Sequence, residues 1–399
     1  MSTVTLSSGQ RTRGIIACIA ATTTVTVTLG ISYPFLALTL HHQGVSPLLN
    51  GLNASVQMLA VMFLALLAPR LIRRFGVKRV IAAGMVGMAV ALALLPVFPS
   101  VWLWFPIRFL LGLSAELAFT AGDVWINQLA DERRRGRLIG VAGMFQHGGF
   151  GLGPMMLTVL DTQTWTALYI GIGIVLVGLV PLAVAGGAQA ALQGDHRARI
   201  IHFFTIAPSL MMAGLMFGLI DSATLSLLPV YGVDMGVGED TAKLMLTIFV
   251  VGAIIAQIPV GFLADRVETR RLMAACTFVT LLTIAALPFL VTDPVLIYPT
   301  LLLMGATLGS FYTIALTAMG RRFRSAQLVG ATTSFMFLWA IGSVIGPSIS
   351  GGAMDALGPV GMPIVGVIFC AIFLGVLLRR ISSAPPLVVG NESDARTSD

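Results

Sequence analysis

Charge is what this chain has least of. Of its 399 residues only 10% are charged, whereas 57% are hydrophobic, and the mean hydropathy is +0.93. A soluble domain draws on roughly 25% charged residues, so a water-exposed globule is excluded, and with it a disordered or collagen-like chain. Cysteine is scarce too. Cys18, Cys276 and Cys370 all lie inside apolar runs, which leaves no disulfide framework to read. Lys78 and Lys243 are the only lysines and neither follows a glycine, so there is no Gly-Lys-Ser/Thr phosphate loop and no ATP-driven motor. No histidine precedes a glutamate, and no Gly-x-Ser-x-Gly occurs, which removes the zinc-protease helix and the nucleophile elbow. No cofactor and no metal is implied, and the chain does not read as an enzyme.

What the chain does have is long apolar runs. A membrane-crossing helix needs about 20 such residues. Twelve runs qualify, near 14–40, 49–70, 79–98, 102–128, 138–160, 164–185, 204–231, 242–263, 271–291, 295–319, 327–351 and 360–379. They predict an all-α polytopic membrane protein with twelve transmembrane helices. The first run is too long for the apolar region of a cleaved signal, so it reads as a permanent span.

Basic residues fall on every second loop. One side carries Arg11 and Arg13; Arg70, Arg73, Arg74, Lys78 and Arg79; Arg133, Arg134, Arg135 and Arg137; then Arg197 and Arg199. It continues with Arg266, Arg270 and Arg271; Arg321, Arg322 and Arg324; and Arg379, Arg380 and Arg396, in all 22 of the 24 basic residues. The other side carries Lys243 among Asp161, Asp234, Glu239, Asp240, Asp293 and Asp355. Basic loops stay cytoplasmic, so the expectation is a multi-pass protein of the cell inner membrane with both termini cytoplasmic. The net charge of +7 is then topogenic and asks for no nucleic acid.

The sequence also repeats itself. Gly44-Val45 matches Gly236-Val237, and Leu71-Ile72-Arg73-Arg74 matches Leu263-Ala264-Asp265-Arg266, both at an offset of 192. Gly112 matches Gly305, and Gly153-Pro154 matches Gly346-Pro347, at 193. Ordered matches at one offset predict two pseudo-symmetric six-helix bundles with a site at their interface. The expected division is a first bundle over 1–185, a cytoplasmic linker over 186–203, a second bundle over 204–381 and a cytoplasmic tail over 382–399.

With these motifs the chain resembles a transporter of the major facilitator superfamily over nearly its whole length. The superfamily's loop motif, Gly-x-Leu-Ala-Asp-Arg-x-Gly-Arg-Arg/Lys, stands at Gly261–Arg271 with Glu268 in place of the second glycine. After the second span it is eroded, with Pro69 for the first glycine and Arg73 for the aspartate. Arg108 and Gly112 form an Arg-x-x-x-Gly pattern, and Gly149-x-x-x-Gly153-Pro154 is similar to the antiporter motif, although Leu157 and Thr158 replace its paired glycines. The eleventh span carries Gly342-x-x-x-Gly346-Pro347. The eroded first motif, Arg135–Leu138 and Gln327–Val329 are similar to the YcaD-like branch, which supplies no substrate. The resemblance implies alternating access by a monomer in the lipid bilayer.

The motifs also have a reading in plain physics. Asp265, with Arg266 and Arg270 nearby and Gly261 opening the run, can latch the cytoplasmic ends of two helices in one access state. The alternative is a topogenic loop with an incidental acid, and for Arg73 and Arg74, which lack the acid, that alternative holds. Gly149, Gly153 and Pro154, like Gly342, Gly346 and Pro347, put small residues on one face ahead of a kink. They read as helix packing together with a seal and pivot between the bundles.

Ionisable groups inside spans carry the chemistry, because burying a charge there costs several kcal/mol. Arg108, Glu116 and Asp123 share one helical stripe, the two acids lying about 80° and 60° around from the arginine, and Asp221 is in the seventh span. A structural charge network is the alternative. Three carboxylates against one guanidinium suit protons or cationic substrates, and His147 is a candidate shuttle. Asn53, Gln57, Gln146 and Gln257 either line the cavity or bridge helices. His41 and His42 read as solvated, and Trp102 and Trp104 as an interfacial belt. The expected function is proton-coupled export, by antiport, of an amphipathic or cationic small molecule, with nutrient import or a non-transporting sensor as alternatives.

Overall fold

A bilayer offers the backbone no hydrogen-bonding partner, so each crossing must close its own ladder as a helix. The computed structural model describes residues 8–130, 135–185, 206–323 and 325–383. The linker over 186–203, the tail from 384, and Arg133, Arg134, Arg197, Arg199, Arg324 and Arg396 lie outside the described residues. The first bundle comprises α1 (Ser8–His42), α2 (Pro47–Phe75), α3 (Val77–Leu94), α4 (Val101–Leu129), α5 (Arg135–Leu157), α6 (Thr166–Val177) and a short α7 (Leu179–Val184). The second comprises α8 (Pro208–Asp234), α9 (Glu239–Arg266), α10 (Thr269–Leu290), α11 (Pro294–Arg322), α12 (Ser325–Leu357) and α13 (Gly361–Ser383). One apolar core draws on residues between Ala17 and Ala185. The other draws on residues between Ala207 and Leu377, with Ala37 of α1 reaching into it.

Among the described residues eleven crossings are long and apolar enough to span a membrane, α6 and α7 counting together as one. The twelfth is α5, whose 23 residues include Arg, Gln, His and several glycines that dilute its hydropathy. It packs against α1 and α9 in the place a twelfth span would take. The sixth crossing, expected as one helix, breaks at Gly178, where an added Cβ would lie 2.1 Å from Thr24 Oγ1. Local chemistry fixes other ends. Ser46 accepts from the Leu49 N–H to start α2, and Asp293 accepts from the Val295 and Leu296 N–H groups to start α11.

The repeat is visible in the backbone. Gly44 and Gly236 end α1 and α8 with φ of 72° and 87°, a left-handed conformation that only glycine adopts without strain. The following valines bond back identically, Val45 N–H to Leu40 O at 3.0 Å and Val237 N–H to Gly232 O at 3.1 Å. A Cβ on Gly112 would lie 2.2 Å from Gln57 O, and one on Gly305 1.8 Å from Phe249 O. Gln57 and Phe249 are themselves 192 residues apart, so α4 crosses α2 as α11 crosses α9.

Trp104 departs from expectation. It is buried, donating from Nε1 to Phe98 O at 2.8 Å, whereas Trp102 is 69% exposed. Two residues along a helix point to different sides, so only Trp102 is placed for a membrane belt.

Candidate functional site: buried charges between the bundles

The close approach of α2 and α4 at Gly112 brings two amides against Arg108. Its Nε donates to Asn53 Oδ1 at 2.8 Å and its Nη1 to Gln57 Oε1 at 2.6 Å. The side chain is 1% exposed, so the guanidinium is held by neutral oxygens, with no ion pair to a carboxylate among the described residues. Its Nη2 makes no hydrogen bond to the described residues, and Asn53 Nδ2 is buried without a partner among them.

Burial falls along the α4 stripe. Arg108 is fully buried, Glu116 half-buried and Asp123 exposed. Glu116 accepts from Thr120 Oγ1 at 2.8 Å, one turn further on. Gln146 of α5 points toward Asp123 without reaching hydrogen-bond distance, and Tyr312 of α11 lies within its electrostatic reach. Asp221 is half-buried on α8 and has no hydrogen bond or ion pair among the described residues.

Tyr33 of α1 joins these groups. It is buried and lies within electrostatic reach of Arg108, Glu116 and Asp221 together. Its ring meets Phe150 edge-on at 5.8 Å, and its hydroxyl has only the long contact to Met58 Sδ at 3.9 Å among the described residues. Sequence reasoning passed over Tyr33; the available signal was a tyrosine directly before Pro34 inside the first span. His147 is exposed on α5 and is not among the groups around Tyr33. Its Nδ1 bonds Gly143 O at 2.7 Å.

The bundles meet toward the acidic end. Ser55 and Ser348 hydroxyls lie 2.7 Å apart, and the Leu48 N–H donates to Asp355 at 3.3 Å. His41 Nε2 stands 3.5 Å from Asp234 and His42 Nε2 3.1 Å from Glu239, which also accepts from Thr162. The two histidines are thus cross-bundle partners, not simply solvated side chains. All these contacts lie in the acidic half. On α5, Gly151 meets Val250 and Ile254 of α9. Gly148 and Gly140 lie on nearly the same face nearer the basic end, and a Cβ there would meet nothing within 4 Å among the described residues. Toward the basic end Asp123 is exposed.

The motif glycines pack within bundles. Gly149 and Gly153 close α5 on α1 at Thr26 and Gly30, and Gly342 and Gly346 close α12 on α8 at Leu215 and Leu219. The seat between the bundles is therefore not where these four glycines pack. It lies next door, where Pro347 O would be 2.0 Å from a Cβ on Gly51. Pro154 and Pro347 both lie inside their helices. At the basic end Asp265 pairs with Arg321 of α11 at 2.6 Å rather than with Arg266 or Arg270. Arg270 instead donates to Arg380 O at 3.1 Å, and Gly261 has only Thr313 within 4 Å of its would-be Cβ. The pair joins two helices of the second bundle.

A family model for the Major Facilitator Superfamily matches residues 15–201 and 210–398. The chain belongs to this superfamily. Among curated relatives it is 24% identical to the uncharacterised MFS-type transporter YfkF of Bacillus subtilis, over 82% of this chain and 85% of that one. It is 22% identical to the uncharacterised MFS-type transporter YcaD of Salmonella typhi, over 79% and 82%. Among solved structures, a point mutant of the nucleoside transporter NupG superposes with a TM-score of 0.78 at 13% identity, covering 92% of this chain and 99% of that one. A bacterial homologue of the human lysosomal transporter Spinster, inward-facing and unoccupied, gives 0.75 at 12% identity, covering 94% and 98%. As an MFS-type transporter the chain is a multi-pass membrane protein handling small molecules.

Proposed function

We propose that this MFS transporter is a proton-coupled antiporter of the cell inner membrane that exports an amphipathic or cationic small molecule. The observation that carries the reading is that Tyr33 lies within electrostatic reach of Glu116 on its own bundle and of Asp221 on the other, while Arg108 is tied to amides. Asp221 has no partner of its own among the described residues, and a carboxylate held from water is stabilised by a proton or a cation. Two such groups on two bundles let a proton and a cationic substrate exclude one another as the bundles rock, residues 1–185 against 204–399. Basic loops support a cytoplasmic basic end, the end toward which the α4 stripe becomes exposed at Asp123. Asp123, exposed on the same stripe, carries protons between Glu116 and the cytoplasm.

The test is proton release from acid-loaded everted vesicles challenged with a library of cationic amphiphiles. Wild-type vesicles release protons with one or more members. Glu116→Gln and Asp221→Asn vesicles, with equal protein inserted, give the signal of vesicles lacking the protein. Wild-type release by both variants places the coupling elsewhere.

A further inference from the structure

The acidic mouth holds a cluster that the central site does not use. His41 and His42 end α1 of the first bundle, and Asp234 and Glu239 flank the α8–α9 turn of the second. Each imidazole meets one carboxylate across the gap, at 3.5 and 3.1 Å. The other charged groups there are accounted for. Lys243 sits on Glu239 and Asp240 at 3.2 and 3.1 Å, inside the second bundle. Asp161, in the α5–α6 turn beside Thr162, accepts from the Gln163 N–H at 2.9 Å, and Asp355 accepts from the Leu48 N–H. Asp293 caps its own helix. Among the described residues the first bundle therefore brings only imidazoles as potential cations to this mouth, and both face carboxylates of the second bundle.

We propose that His41 and His42 with Asp234 and Glu239 form a second proton-binding site, distinct from the central carboxylates, whose occupancy holds the acidic mouth shut. A neutral imidazole offers a carboxylate at most one N–H, whereas imidazolium adds a full charge. In the mouth-open state the two bundles separate here and the pairing is lost. The shut state then binds protons more tightly than the open state, and by linkage acid favours the shut state. The sign is definite: shut mouths gain as pH falls through the range where imidazoles take up protons, and open mouths gain as it rises. With the acidic end outward, acid outside promotes the inward-facing arrangement, the direction that carries protons inward.

The test uses the full chain in nanodiscs, with both ends at one pH, so it requires neither a substrate nor an assigned orientation. Nitroxides on Gln43→Cys and Ala356→Cys span the mouth, and the native cysteines are buried. Electron–electron distance distributions are recorded across about pH 5–8, the window of histidine titration. The ratio of short to long distances should fall by roughly 2–25-fold toward the alkaline limit, the range two half-exposed ion pairs give. His41→Gln/His42→Gln should flatten that dependence, as should Asp234→Asn/Glu239→Gln. Glu116→Gln/Asp221→Asn should keep it, which separates this site from the antiport reading. An unchanging wild-type ratio, or a full titration in the double histidine variant, overturns the proposal.

Discussion

A guanidinium stays charged at physiological pH, so a buried Arg108 has to be solvated by the protein itself. Asn53 and Gln57 do this through two short bonds in fixed directions. A lysine ammonium, shorter and without the planar fork, cannot serve both oxygens from the same backbone position. Arg108→Lys is therefore expected to cost about 1–3 kcal/mol of stability, the penalty for a buried acceptor left without its donor. Asn53→Ala should cost a similar amount, and the double variant less than the sum, because both remove one interaction. Thermal unfolding in detergent measures all three. Additive losses would mean that the two residues act separately. Arg108 was legible in the sequence because ionised groups are rare inside spans. Its amide partners were legible only as polar residues, since nothing in the order of the chain says that α2 crosses α4 there. Tyr33 was passed over: a buried tyrosine looks like core until the third dimension brings Arg108, Glu116 and Asp221 within its electrostatic reach.

At the scale of elements, long apolar runs made the twelve crossings readable, and the ends moved by only a few residues. α5 was legible as one of the apolar runs, and the break at Gly178 was missed although Pro181, which has no N–H to bond back to Val177, stands three residues beyond it. The glycines illustrate the same limit. Sequence marks Gly153 as special, but only the structure shows what it meets. A Cβ there would sit 2.2 Å from Gly30 C, against backbone that cannot rotate away. Gly153→Ala should therefore separate α1 from α5 at a cost of about 1–3 kcal/mol or more. Gly173→Ala, whose new methyl meets nothing within 4 Å among the described residues, should be silent. Size-exclusion profiles of fluorescent fusions provide the check, and equal profiles would show that α1 and α5 yield more than their backbone contact implies.

For the whole molecule, what matters is where the two halves stop matching. The repeat that superposes Gly112 on Gly305 sets Asn53 against Met245, Gln57 against Phe249 and Arg108 against Leu301, and those three apolar residues are buried. One bundle carries a polar cluster where the other carries packed hydrocarbon, so the second supplies Asp221 from a different helix. The symmetry supports rocking, while the asymmetry supports chemistry. If rocking is required, fastening the acidic end must stop transport without touching either carboxylate. Ser55 and Ser348 suit this, with hydroxyl oxygens 2.7 Å apart across α2 and α12, since a disulfide at about 2.05 Å needs only a small further approach. Ser55→Cys/Ser348→Cys should cross-link on mild oxidation, read as loss of two free thiols per chain. Vesicle flux should then vanish and return with reductant, while each single variant transports under both conditions. Undiminished flux in fully cross-linked protein would mean that substrate crosses without separation of the acidic ends, and alternating access through this interface would have to be abandoned.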